Sequence, residues 1–115
     1  MTTELQKRTV YIISDGTGET ASSMTRAALV HFRDYDISIV RCKNVRTEVQ
    51  AEALIDEVFQ KRGFLIHTVA SESLRKKILE ESSLKGVPCV DLLGPLLSQL
   101  KSFMGVEPEK KSDGR

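Results

Sequence analysis

Four apolar runs of strand length alternate along the chain with stretches whose apolar residues recur at helical spacing. The runs are Thr9–Ile13, Ile37–Cys42, Phe64–Val69 and Val87–Val90. After the first, Ala21, Met24, Ala28 and Phe32 fall on a helical stripe. After the second, Thr47 and Gln50 form a capping box that opens a helix carrying Ala51, Leu54, Ile55 and Val58. That helix is expected to close at Lys61-Arg62-Gly63, with cations at its end and a glycine just past it. Ser71 caps a third helix with Leu74, Ile78 and Leu79, ending near Lys85-Gly86. Asp91 caps a fourth, from Leu92 to Met104, with Pro95 tolerated in its first turn and Gly105 as its stop. Strand–helix alternation of this kind predicts an α/β fold: a three-layer arrangement of about four parallel strands with helices on both faces. The simplest right-handed strand order is 2-1-3-4. Residues 1–105 are read as one domain, and 106–115 as a polar, disordered tail.

The stretch between the first strand and the first helix carries the clearest chemistry. In Ser14-Asp15-Gly16-Thr17-Gly18-Glu19-Thr20, glycines permit a sharp turn and a close approach to the backbone. A strand, a glycine turn and a helix together aim backbone N–H groups at an anion. Gly16, Thr17, Gly18, Glu19 and Thr20 are therefore candidate phosphate or anion contacts, with Thr17 or Gly18 as the N-cap. Asp15 is the candidate catalytic or metal-proximal carboxylate. No lysine follows as in a Walker-type loop, and Gly16, Gly18 and Ala21 only nearly meet the dinucleotide pattern. The bland alternative is a helix-entry turn with a well-chosen cap. In a Rossmann- or flavodoxin-like sheet, ligands sit beyond the carboxyl ends of the strands. That edge also collects Lys43 to Arg46, the His67–Ser71 segment and Asp91, so Arg46, His67, Thr68 and Asp91 are possible site-edge residues.

Composition narrows the partners. In 115 residues, 40% hydrophobic and 29% charged, the net charge is only +1, which offers no case for nucleic acid or a membrane surface. No apolar run reaches membrane-span length, and the first eight residues lack a signal-peptide core, so a cytoplasmic location is expected. Cys42 and Cys89 belong to no C-x-x-C pair and are read as buried, reduced thiols. No set of residues has metal-ligand spacing, so no metal is expected.

The stretches Val10–Ala21, Val45-Arg-Thr47 and Gly86–Leu97, in this order and spacing, resemble the N-terminal region of the bacterial regulatory proteins of phosphoenolpyruvate synthetase and of pyruvate, phosphate dikinase. The resemblance implies a serine/threonine kinase that uses ADP as phosphoryl donor. It also implies the reverse activity, removal of the phosphate with inorganic phosphate to give pyrophosphate. The implied partner is the dikinase or synthetase, modified on a threonine. The family's nucleotide-binding P-loop lies beyond the matched region. ADP and inorganic phosphate are thus family substrates, and no cofactor is assigned to this chain. It reads as the N-terminal domain of a longer enzyme.

Two other readings stand beside this one. The Ser14-to-Thr20 pattern is also similar to the FMN phosphate loop of flavodoxins, but neither Tyr11 nor Tyr35 is placed to stack on a flavin and there is no tryptophan. A non-catalytic phosphate-binding or protein-interaction domain is the other. It draws on the last helix, whose Leu92, Leu93, Leu96, Leu97, Leu100, Phe103 and Met104 cover more than one stripe and suggest a second contact, with a partner subunit as in a homodimer or with the C-terminal domain of the longer enzyme. Among single residues, His67 is expected to be buried and hydrogen-bonded, His31 to sit solvated at a helix end, and Arg41 and Arg46 to lie at the exit of the second strand. Arg75-Lys76-Lys77 is read as a solvated face.

Overall fold

The computed structural model describes residues 7–108. Four strands, β1 (Lys7–Ser14), β2 (Asp36–Cys42), β3 (Phe64–Thr68) and β4 (Cys89–Asp91), form one parallel sheet in the order β2-β1-β3-β4. The helices are α1 (Glu19–Leu29), continued by a 3-10 turn over Val30–Phe32, α2 (Glu48–Gln60), α3 (Glu72–Lys85) and α4 (Gly94–Met104). The α/β class, the strand count and the 2-1-3-4 order are those the alternation predicts. Residues 109–115, most of the expected tail, lie outside the described residues.

The two faces of the sheet are packed differently. Tyr11, Ile13 and Leu65 point to one face and meet Ala51, Ile55 and Val58 of α2 and Leu74 and Ile78 of α3 in a cluster of eleven buried residues. Val10, Ile12 and Ile66 point to the other, where with Ala21 of α1 they make only four. The alternation along β1 and β3 sets this division, because successive side chains in a strand point to opposite sides.

The helix entries follow their caps. Gln50 N–H donates to Thr47 Oγ1 at 3.1 Å and Thr47 N–H to Gln50 Oε1 at 3.0 Å, the reciprocal capping box expected of those residues. Ser71 Oγ accepts from Leu74 N–H at 3.3 Å. The fourth strand and helix begin later than expected, at Cys89 and Gly94. Asp91 still secures the turn, its Oδ1 accepting from Leu93 N–H at 3.0 Å and Gly94 N–H at 2.8 Å.

Several packing expectations are corrected. In α1 the buried residues are Ala21, Ser22 and Thr25, while Met24, Ala28 and Phe32 are exposed. Thr25 is accommodated because its hydroxyl donates to Ala21 O at 2.7 Å, one turn back. Leu79 is exposed on α3. Cys42 and Cys89 are free but only half-buried, and burial together with Glu57 pushes the Cys42 thiol up, away from the reactive thiolate. In α2 the left-handed residue past the helix is Arg62, not Gly63.

Candidate functional site

The loop after β1 is tied on both sides. Ser14 is fully buried, and its Oγ accepts from Gly16 N–H at 3.0 Å, which tightens the turn. The carbonyls of Ser14 and Gly16 accept from Val45 and Asn44 N–H, both at 2.9 Å, so the loops after β1 and β2 are tied together. Asp15 is 4% exposed, and its Oδ2 accepts from Ala70 N–H at 3.0 Å, bridging to the end of β3.

The chain then enters α1 through Gly18, the N-cap, at φ 78. This is a left-handed conformation that favours glycine, and a Cβ here would also lie 3.0 Å from Arg41 Cγ. Because glycine has no side chain, no side-chain cap bond forms at this terminus. Thr17 Oγ1 accepts only from Glu19 N–H, at 3.3 Å. Two arginines flank the turn through its carbonyls: Arg46 Nε donates to Asp15 O at 3.0 Å, and Arg41 Nη1 reaches Thr17 O at 3.5 Å. Thr17, Glu19 and Thr20 are exposed around it. The result is a helix N-terminus, with its partial positive charge, between two guanidinium groups.

A second polar cluster stands at the β3–β4 side of the same edge. His67 is fully buried, 4.0 Å from the Asp91 carboxylate, and Arg75 Nε lies 3.7 Å from the other carboxylate oxygen. The expectation of a hydrogen-bonded histidine fails, for neither ring nitrogen has a hydrogen-bond partner among the described residues. Burial pushes the imidazole pKa down and Arg75 adds to this. Asp91 opposes them without prevailing, since its carboxylate is already held by two N–H groups and a guanidinium. His67 is thus neutral at pH 7. Thr68 is buried beside Ser14 in the register, and its hydroxyl has no partner among the described residues.

Arg75 was not legible as a site residue. It is half-buried, and its Nη1 donates to Ala70 O at 2.7 Å and Val69 O at 3.2 Å. With Asp15 on Ala70 N–H, this makes a continuous polar chain, Arg46–Asp15–Ala70–Arg75–Asp91, across the carboxyl edge. The reading of Arg75-Lys76-Lys77 as a solvated face therefore holds only for Lys76, because Lys77 pairs with Glu52 at 2.7 Å and Glu81 at 3.3 Å. One signal was available: Arg75 lies four residues after the cap Ser71, on the turn that faces the strand ends. Gly94 completes the cluster, since a Cβ there would overlap the Asp91 carboxylate. No group of metal-binding residues occurs among the described residues. Tyr11 is buried against α2 and α3, and Tyr35 stacks 5.3 Å from the Arg8 guanidinium at the opposite end of the strands.

Similarity to known proteins points the same way as the motifs. A sequence model described as Kinase/pyrophosphorylase matches residues 10–115. A pyruvate, phosphate dikinase regulatory protein of Bdellovibrio bacteriovorus is 59% identical over 88% of this chain and 36% of its own length. Proteins of the same description from Geotalea daltonii and Listeria welshimeri are 33% and 39% identical over 89% and 86% of the chain. The chain spans little more than a third of the length of these relatives. A solved structure described as a phosphate-loop protein covers 87% of this chain and 90% of its own at 17% identity, with a TM-score of 0.46. No described helix is long and apolar enough to cross a membrane. With the family match running from β1 through the last described residue, the chain belongs to the Kinase/pyrophosphorylase family.

Proposed function

We propose that this chain is the part of an ADP-dependent serine/threonine kinase and phosphate-dependent pyrophosphorylase that receives phosphate, acting on a threonine of pyruvate, phosphate dikinase or phosphoenolpyruvate synthetase. One observation supports it above the others: the N-terminus of α1, free of a side-chain cap at Gly18, sits between Arg41 and Arg46. Phosphoryl transfer depends on positioning and on neutralising charge spread over the phosphoryl oxygens. With the Gly16 and Glu19 N–H groups given to the Ser14 and Thr17 hydroxyls, those of Gly18 and Thr20 and the Arg46 guanidinium are suited to that task. Asp15 then acts by holding the loop to Ala70, one residue before the turn proposed to take the phosphate.

The test is titration of the 15N-labelled chain with inorganic phosphate. The amides of Gly18 and Thr20 should shift together, and Arg46→Ala should weaken the effect about tenfold, as loss of a charge-assisted hydrogen bond does. If no amide in that turn responds, the anion reading fails. Assayed alone with ADP, the chain should transfer no phosphate at a useful rate, because no lysine-bearing P-loop occurs in residues 1–115.

A second proposal concerns a partner, and α4 favours it. This helix contains no buried residue, and Leu96, Leu100, Phe103 and Met104 are exposed along it. The proposed occupant is a second copy of the chain. The helix carries one charge, Lys101, already paired with Glu107 at 2.6 Å, so two such helices can pack face to face without like-charge repulsion.

A further inference from the structure

At the amino ends of the strands, opposite the candidate site, lies a groove of about 470 Å³. Lys7 and Arg8 at the start of β1, and Lys61 and Arg62 after α2, supply four cations to its lining, with Phe64 and Pro88 as apolar surface. A second hollow of about 500 Å³ adjoins it, sharing Arg62, Gly63 and Pro88 and adding Phe59. None of the four makes an ion pair among the described residues, whereas Lys77, Lys85 and Lys101 all do, and only Arg8 has an aromatic partner there, the Tyr35 ring at 5.3 Å. Since the whole chain is only +1, this is a local segregation of charge. Asp36, the register partner of Lys7, is the acid adjoining the groove and forms no ion pair with it.

The end of α2 gives the second, independent observation. Arg62 N–H donates to Phe59 O at 3.1 Å and Gly63 N–H to Val58 O at 2.9 Å, the paired bonds of a Schellman ending. The end of α3 has the same pair, Gly86 N–H to Ser83 O and Val87 N–H to Ser82 O. There the left-handed residue is Gly86, at φ 68, and α4 likewise ends on Gly105 at φ 72. At the end of α2 the same position is Arg62, at φ 54. An L-residue in that conformation is strained where glycine is not. The helix dipole favours a cation near this terminus, and Lys61 already provides one. It accounts for neither Lys7 nor Arg8, which begin a strand.

From this geometry we infer that the amino-edge groove is a docking surface for an extended acidic peptide segment of a partner protein, with Arg62 retained at a strained position for its charge. Lys7, Lys61 and Arg62, which form no ion pair among the described residues, stand around Phe64, Phe59 and Pro88 and match a segment in which carboxylates alternate with apolar side chains. A nucleic acid would present phosphates at every step and no apolar side chain. The inference does not rest on the anion reading of the other edge, which lies at the far end of the strands.

The experiment measures anisotropy of a fluorescein-labelled peptide of alternating glutamate and phenylalanine in low salt, with an oligothymidylate of equal charge as comparison. The peptide should bind, and added salt should weaken it. Arg62→Gly should weaken binding about three- to fivefold, the effect of one exposed charge pair, while the melting temperature stays level or rises as the left-handed strain is relieved. Lys7→Gln, in β1 and outside the helix ending, should weaken it similarly. No binding in low salt, variants that bind as tightly as the unsubstituted chain, or tighter binding of the oligonucleotide would each overturn the proposal.

Discussion

The two faces of this sheet are built to different standards. The face under α2 and α3 buries branched aliphatic residues from both helices, and lysines bridge the helices above it: Lys77 to Glu52 at 2.7 Å and Lys85 to Asp56 at 2.6 Å. The face under α1 buries four hydrophobic residues, and α1 packs through Ala21, Ser22 and Thr25 rather than through large side chains. A small-residue helix face lets α1 lie close to the strands and sets its N-terminus against the end of β1. It adds little burial in return. The dense face therefore supplies the stability, and the sparse face carries the candidate site's helix and leaves α4 uncovered.

The sharpest way to break this contrast is to remove the same group from each side. Ile55→Ala, on the dense face, should cost about 2–5 kcal/mol in denaturant unfolding, as buried aliphatic truncations do. Leu100→Ala on α4, already 41% exposed, should cost under about 1 kcal/mol. Equal costs would mean that α4 is part of a core in solution.

A smaller effect sharpens the partner reading. Phe103 is 83% exposed, so Phe103→Asp should leave unfolding nearly unchanged while shifting the chain from dimer to monomer in sedimentation. A wild-type chain that is monomeric at high concentration rejects the dimer.

A pH dependence on the dense side gives a further test. The folded-state pKa of His67 is lowered by burial below its ordinary 6.5, so the unfolded chain binds the extra proton first as pH falls. The contribution of the neutral ring is complete above pH 6.5 and is lost as pH drops below it, with a slope of at most about 1.4 kcal/mol per pH unit. His67→Gln should flatten the stability profile between about pH 7 and pH 5. An unchanged profile would show that the ring is partnered in solution.

Local patterns along the chain were enough for the strands, the helix caps at Thr47 and Ser71, and the strand order, because each depends on periodicity, on one or two neighbouring residues or on the handedness of short connections. The same holds for the turn at Gly16–Gly18, where the left-handed entry to α1 at Gly18 favours a residue without a Cβ. Tertiary structure alone decided the rest. Arg75 reads as one cation in a basic run, and it becomes part of the edge only when α3 lays it beside the carbonyls of Val69 and Ala70 and near Asp91. Asp15 and Ala70 meet across 55 positions of sequence, Asp15 and Arg46 across 31, and no local pattern encodes either contact. His67 and Asp91 are brought together by the β3–β4 register, and the burial that keeps the ring neutral comes from packing around it. Arg62 rather than Gly63 takes the left-handed turn because a side chain at Gly63 would strike Tyr11 and the Thr9 carbonyl, a steric demand made by a strand some fifty residues earlier in the chain.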